Sequence, residues 1–477
     1  MKQDEGMSWL PGHQIAERIR GGSLSANEVV ETALHRIAAI EPSIHSFITV
    51  SAEIARERAA QIDALPQSEK QGDLLGVPFS AKDNILTAGV RTTAASRLLE
   101  TFVPAEDAAV ISRLDAAGAV LLGKANLPEF SMWGRSRNLV AEECRNPWDL
   151  RRTCGGSSGG SGAAVAAGLV PISIGTDDGG SIRLPAALNG VLGLFPSPGR
   201  VPLDGVIIGG VVSAAGPLTR DVRDAALFLD AMTPGAGFAQ GMDAGIAGLR
   251  MAWISEVEGL AVNDPRVAAC ARAAASVLAQ AAGTALDEPG LGLVDALWGA
   301  AAVLSPFPDA TYGGLRPWHL PEIQRAIAEP GWEERLAPNA RPDSVSGAEA
   351  APPSEEAKQV LRRVVEQMDG IFARCDVLFT PTIDQIAPLI TDDWIYPYAP
   401  PEAGPQEAIR QYVKYTLPVN VAGCCAVSIP CGFVDGMPVG LQAIGRRGAE
   451  LTLLRVARTF EQISPWAGAR PALTGHD

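Results

Sequence analysis

Residues 155–190 read GGSSGGSGAAVAAGLVPISIGTDDGGSIRLPAALNG. No other stretch narrows the fold as much. From Gly155 to Gly168 the side chains are almost all hydrogen, methyl or hydroxymethyl. Such a helix has no amphipathic face, so it reads as a buried helix leading into a strand rather than a surface element. Val170–Gly175 reads as that strand. Gly179 and Gly180 then allow a tight turn, and IRLPAALNG can begin the next helix. A flexible linker is the rival reading of GGSSGGSG. It is opposed by NPWDLRRTC before it and by the helix and strand directly after it. A phosphate loop is excluded, because GxxxxGK[ST] requires a lysine that this stretch lacks.

The order helix, glycine turn, buried strand recurs at 108–126, AAVISRLDAAGAVLLGKAN, and GVPFSAKDNI at 76–85 reads as a short strand entering a polar loop. Alternation of this kind predicts an α/β fold, a sheet with helices on its faces, with functional groups in loops just past strand ends. Residues 1–65 read as an N-terminal helical segment in which Ser23 or Ser25 caps a helix with Val29, Val30, Ala33, Leu34 and Ile37 at helical spacing. Residues 66–235 form the core of the motif region, and 296–360, rich in Pro, Gly and charge, a variable excursion that would be a lid or pocket wall. Residues 361–465 return to order, with a helix and strand over 355–382, a strand pair at 427–433 and 438–445, and a closing helix at 449–462.

Composition limits the partners. Of 477 residues, 47% are hydrophobic, enough for a large core, and the formal net charge of −15 argues against a nucleic-acid or anionic-membrane surface. The N-terminal residues have no signal-peptide core, and no stretch has the length of an apolar membrane span. Seven cysteines without a CxxC pair read as reduced core thiols of a cytoplasmic protein, and five scattered histidines give no metal-binding pair.

Three pieces carry chemistry. Ser181 follows Gly179-Gly180, where successive backbone N–H groups can converge on one point. Ser157 lies in the glycine-rich loop. Lys82 stands at a strand end, where burial would lower its proton affinity enough to make it a base. Taken alone, Lys82 reads as well as a partner of Asp83.

Taken together, these pieces resemble the amidase signature hydrolases, nearly end to end. The resemblance rests on the 155–194 stretch, GVPFSAKDN, GKANLPEF, RNPWD, and the C-terminal PVNVAG, VSIPCGF and GMPVGLQAIG. Ser157 and Lys82 stand 24 and 99 residues before Ser181, as the family requires. The resemblance implies one domain over 1–477, built on a large mixed twisted sheet covered by helices on both faces. It implies Ser181 as nucleophile, Ser157 as bridging serine after a cis peptide bond from Gly156, and Lys82 as base. It further implies the N–H groups of Asp178, Gly179, Gly180 and Ser181 as oxyanion donors, with Asp177 and Arg183 as structural support. The substrate would be a small amide or carbamate with water as second substrate, and no cofactor or metal. A homodimer is an associational expectation.

The chain departs from the family at four places. Asp178 replaces an uncharged residue, and points away from the oxyanion or binds a substrate N–H or amine. Phe195 replaces Lys, Cys424-Cys425 a Leu-Pro pair, and Cys154 a Pro or Ala. Met132, Trp133 and Gly156, with Phe307, Tyr312 and Trp318 of the excursion, are the candidate pocket, which suits aryl amides, anilides and carbamates. An esterase or a transamidation subunit would use the same triad. A non-catalytic amidase-like binding protein is the reading from a different class.

Overall fold

The computed structural model describes residues 6–208, 212–297, 320–340, 355–394, 398–399 and 401–473. Its centre is an eleven-stranded mixed sheet. The strands are β1 (Phe47–Val50), β2 (Pro78–Lys82), β3 (Val120–Ala125), β6 (Ile172–Asp177), β7 (Leu192–Phe195), β8 (Ala214–Thr219), β9 (Met251–Trp253), β10 (Leu286–Asp287), β11 (Val377–Pro381), β12 (Cys425–Val434) and β13 (Met437–Gly445). Their order across the sheet is β1-β3-β2-β6-β8-β7-β12-β13-β11-β9-β10. A separate two-stranded ribbon pairs β4 (Arg145–Asn146) with β5 (Asp149–Thr153).

Local chemistry explains the first elements. Ser25 caps the helix Ala26–Ile44 reciprocally: its hydroxyl accepts from Glu28 N–H, and the Glu28 carboxylate accepts from Ser25 N–H. Val29, Val30, Ala33, Leu34 and Ile37 are buried along that helix. The 1–65 segment is not helical throughout, however. Phe47–Val50, FITV, forms β1 against β3, because an aromatic and β-branched run fits a pleated edge better than a helix. The strand expected at Val170–Gly175 runs from Ile172 to Asp177, two residues later.

The small-residue helix Gly159–Ala166 is buried along its whole length. A Cβ on Gly160 would collide with the backbone of Asn126 and Ser46, which is why the chain can pass so close there. Within the 296–360 excursion, 320–340 carries a helix, Pro321–Ile327, and two short 3-10 turns. Ile323 and Leu336 pack with Leu98, Leu99, Phe130 and Ile207. Of the cysteines, Cys144, Cys154, Cys375, Cys424 and Cys425 are buried core thiols, but Cys270 and Cys431 are only half-buried. Among the described residues, no helix is long and apolar enough to cross a membrane.

Candidate active site

Lys82 ends β2, and β6 runs parallel beside it with Ala81 opposite Ile174. Parallel pairing brings the C-terminal ends of both strands to the same rim. The Lys82 ammonium nitrogen therefore reaches Thr176, lying 2.8 Å from its Oγ1 and 3.3 Å from its carbonyl oxygen. It lies 2.7 Å from Ser157 Oγ. Lys82 is fully buried, and Ser157 is 1% exposed. Burial lowers the Lys82 pKa to about 7, opposed by the negative charges of Asp178 and Asp177. Asp83 is not its partner: Asp83 accepts from Thr93 and lies 3.9 Å from Lys124, a second buried lysine.

Ser157 follows a cis peptide bond from Gly156. Tyr412 holds this turn from the C-terminal part of the chain. Its hydroxyl accepts from Gly156 N–H at 3.0 Å and donates to Gly156 O. Ser158, next in the chain, donates its backbone N–H to Ser181 O at 3.1 Å, which fixes the Ser157 loop against the Ser181 loop. Ser181 is half-buried at the entrance to the helix Arg183–Asn189.

The Asp177 carboxylate organises that loop from below. It accepts from Gly180 N–H (2.7 Å), Ile182 N–H (3.0 Å) and Asn420 Nδ2 (3.0 Å), and pairs with both Nε and an NH2 group of Arg183 at 3.0 Å. Arg183 also donates to Thr416 O, Gln442 Oε1 and Asn420 Oδ1. Its guanidinium lies over the Phe195 ring, 4.5 Å from the centroid. An aromatic face thus occupies the position where a lysine would have placed a second cation beside Arg183. Gly180 takes φ 127°, and a Cβ there would run into Thr416 and Leu184.

This geometry corrects one expectation. The Gly180 N–H is donated to Asp177, so it is turned away from an incoming oxyanion. Among the described residues, the N–H groups of Gly179 and Ser181 meet no protein acceptor. The Asp178 side chain is directed at Ser213, whose buried hydroxyl donates to its Oδ1.

The pocket residues divide. Met132 packs against the cluster of Phe130, Ile207, Ile323 and Leu336, so it adjoins the 320–340 segment. Trp133 takes φ 86°, and its carbonyl oxygen would lie 3.0 Å from a Cβ on Gly156. Phe307, Tyr312 and Trp318 lie outside the described residues. A separate cavity of about 230 Å³ lined by Ala252, Leu291, Gln367 and Ile371 lies at the β9–β10 edge, toward the other end of the sheet from β2. Sequence reasoning missed Thr176, Ser213 and Tyr412. Thr176 had a signal, since it immediately precedes Asp177 on the strand beside Lys82. Tyr412 had none, being 256 residues from the glycine it holds.

A buried lysine hydrogen-bonded to a serine, beside a Gly-Gly-Ser loop in a mixed α/β sheet, defines a serine–lysine type of site. The chain belongs to the amidase signature family. The Amidase family model matches residues 28–236 and 323–454. A glutamyl-tRNA(Gln) amidotransferase subunit of Symbiobacterium thermophilum is 36% identical, over 95% of this chain and 96% of that protein. Among solved structures, one described as a vestigial protein complex revealing the evolutionary origins of an s-triazine catabolic enzyme is 31% identical. It has a TM-score of 0.80, covering 97% of this chain and 100% of that one. A bacterial aryl acylamidase is 26% identical with a TM-score of 0.80, covering 96% and 97%. Family membership supports C–N bond cleavage as the class of chemistry.

Proposed function

We propose that this chain hydrolyses the C–N bond of a small amide, aryl or aliphatic, or of a carbamate, through an acyl-enzyme on Ser181. The observation that carries this reading is the 2.7 Å hydrogen bond between buried Lys82 and Ser157. Lys82 in its neutral form accepts the proton of Ser157 while Ser157 accepts that of Ser181. The freed oxygen of Ser181 attacks the substrate carbonyl carbon. The N–H groups of Gly179 and Ser181, joined by that of Asp178, receive the oxyanion as it forms. Ser157 then passes a proton to the departing nitrogen, and water releases the acyl group by the same relay. Asp177 and Arg183 act on the loop, not on the substrate. No cofactor or metal is required by this sequence of steps.

A mass-spectrometric panel of matched aryl amides, aliphatic amides, carbamates and esters, run with wild type and Ser181→Ala, tests the reading. Cleavage by wild type alone is expected, and labelling of Ser181 by a serine-reactive phosphonate should accompany it. Labelling at another residue, or none, would overturn the assignment.

A second reading is favoured by the relatives named as glutamyl-tRNA(Gln) amidotransferase subunits and by the neighbour described as a complex. In it the same triad releases ammonia from an amide donor within a larger assembly. Ammonia release from glutamine, with no cleavage of aryl amides or carbamates, would favour it.

A further inference from the structure

Cys270 and Cys431 are the two half-buried cysteines, and they lie outside the machinery described above. Cys270 is on the helix Pro265–Ala282, which packs across β12 and β13. Along the β12–β13 pair, Pro430 faces Gly440 and Gly432 faces Val439, so Cys431 is the extra residue of a bulge. A bulge re-aims the side chain it carries. Here the Cys431 thiol donates to Val439 O at 3.4 Å. The Cys270 sulfur in turn lies 3.9 Å from Cys431 O. Gly432 completes the arrangement: a Cβ there would stand 2.6 Å from Cys270 Sγ, so only glycine leaves the sulfur its place. The bulge, the glycine beside it and the reach of Cys270 Sγ to Cys431 O bring the two cysteines together.

We propose that Cys270 and Cys431 form a peroxide-responsive thiol pair that closes to a disulfide, tying the helix Pro265–Ala282 to the β12–β13 hairpin. The two thiols differ in acidity: the neighbouring Cys431 brings the Cys270 pKa down to about 7 against the effect of burial, while that of Cys431 rises, so the thiolate is favoured on Cys270. The Cys270 thiolate attacks one oxygen of a hydroperoxide. The O–O bond breaks, a sulfenic acid forms on Cys270, and hydroxide or alkoxide departs. Cys431 then attacks that sulfur: the S–S bond forms, the S–O bond breaks, and the Cys431 proton leaves with the oxygen as water. Two electrons pass from the two sulfurs to the peroxide.

The test treats the full chain with hydrogen peroxide, blocks remaining thiols with N-ethylmaleimide and maps the digest by mass spectrometry. A single cross-linked peptide pair joining Cys270 to Cys431, released by dithiothreitol, is expected. Cys431→Ser should leave a sulfenic acid on Cys270 that dimedone traps, and Cys270→Ser should abolish the cross-link. A wild-type chain in which both thiols remain open to N-ethylmaleimide, or in which Cys270 over-oxidises without cross-linking, would overturn the proposal. One readout needs no variant: the alkylation rate of Cys270 should rise about tenfold per pH unit below about pH 7 and level off above it. A rise continuing to pH 9 would contradict the polarity assigned to the pair.

Discussion

Lys82 shows how one residue links fold to chemistry at the scale of a single side chain. To accept a proton in the proposed relay it must be neutral. Its pKa is brought down to about 7 by burial, so the neutral form gains above that pH and is lost below it. kcat/KM is therefore expected to rise through about pH 7 and fall on the acid side. A flat profile from pH 5 to 9 would mean that Lys82 is not the base or that chemistry is not rate-limiting. Lys82→Ala should lose about 100-fold or more in kcat, the usual contribution of a positioned base. Asp178 acts in the opposite direction to burial, since its charge favours the protonated lysine. Asp178→Asn should therefore move the acid limb to lower pH, and a shift to higher pH would contradict that role. Ser157, Ser181 and Lys82 could be singled out as candidates from the sequence because each belongs to a compact motif. The loss of the Gly180 N–H to Asp177 could not, because it depends on which way a carboxylate two residues before the Gly-Gly pair happens to turn.

Among the elements, strands were readable where short apolar runs ended in glycine or charge, as at β2, β3, β12 and β13. β1 was hidden, because FITV continues an otherwise helical region and only the partner strand β3 makes it a strand. The contacts between the two parts of the chain were equally hidden. Tyr412 holds both the N–H and the carbonyl of Gly156, and Tyr412→Phe should cost about 1–3 kcal/mol of stability, read by chemical unfolding, with kcat falling more than KM changes. Phe195 packs under Arg183, and replacing it with lysine, the residue expected there, would bury a second cation against the guanidinium. Phe195→Lys should lower the unfolding midpoint sharply, by about 3 kcal/mol or more. A midpoint equal to wild type would show that Arg183 needs no aromatic support.

For the molecule as a whole, the sheet order explains why the α/β class was legible and the site only partly so. Alternating helices and strands announce a layered fold, but they do not say that β12, from the last fifth of the chain, lies next to β7. Nor does composition show that 320–340 packs on the Phe130–Met132 turn. Ile323→Ala should loosen that cover and raise KM for an apolar substrate several-fold with little change in kcat; an unchanged KM would place 320–340 outside the pocket. The middle of the sheet has a further consequence. Lys82, Ser157 and Ser181 all belong to the first 181 residues, yet the loop beneath Ser181 is gripped by Thr416, Asn420 and Gln442. On the ribosome, a nascent chain carrying all three members of the proposed triad still lacks its clamp until Thr416, Asn420 and Gln442 emerge. The proposed chemistry then waits until β12 and β13 have joined the sheet, and does not begin when the reacting side chains first exist.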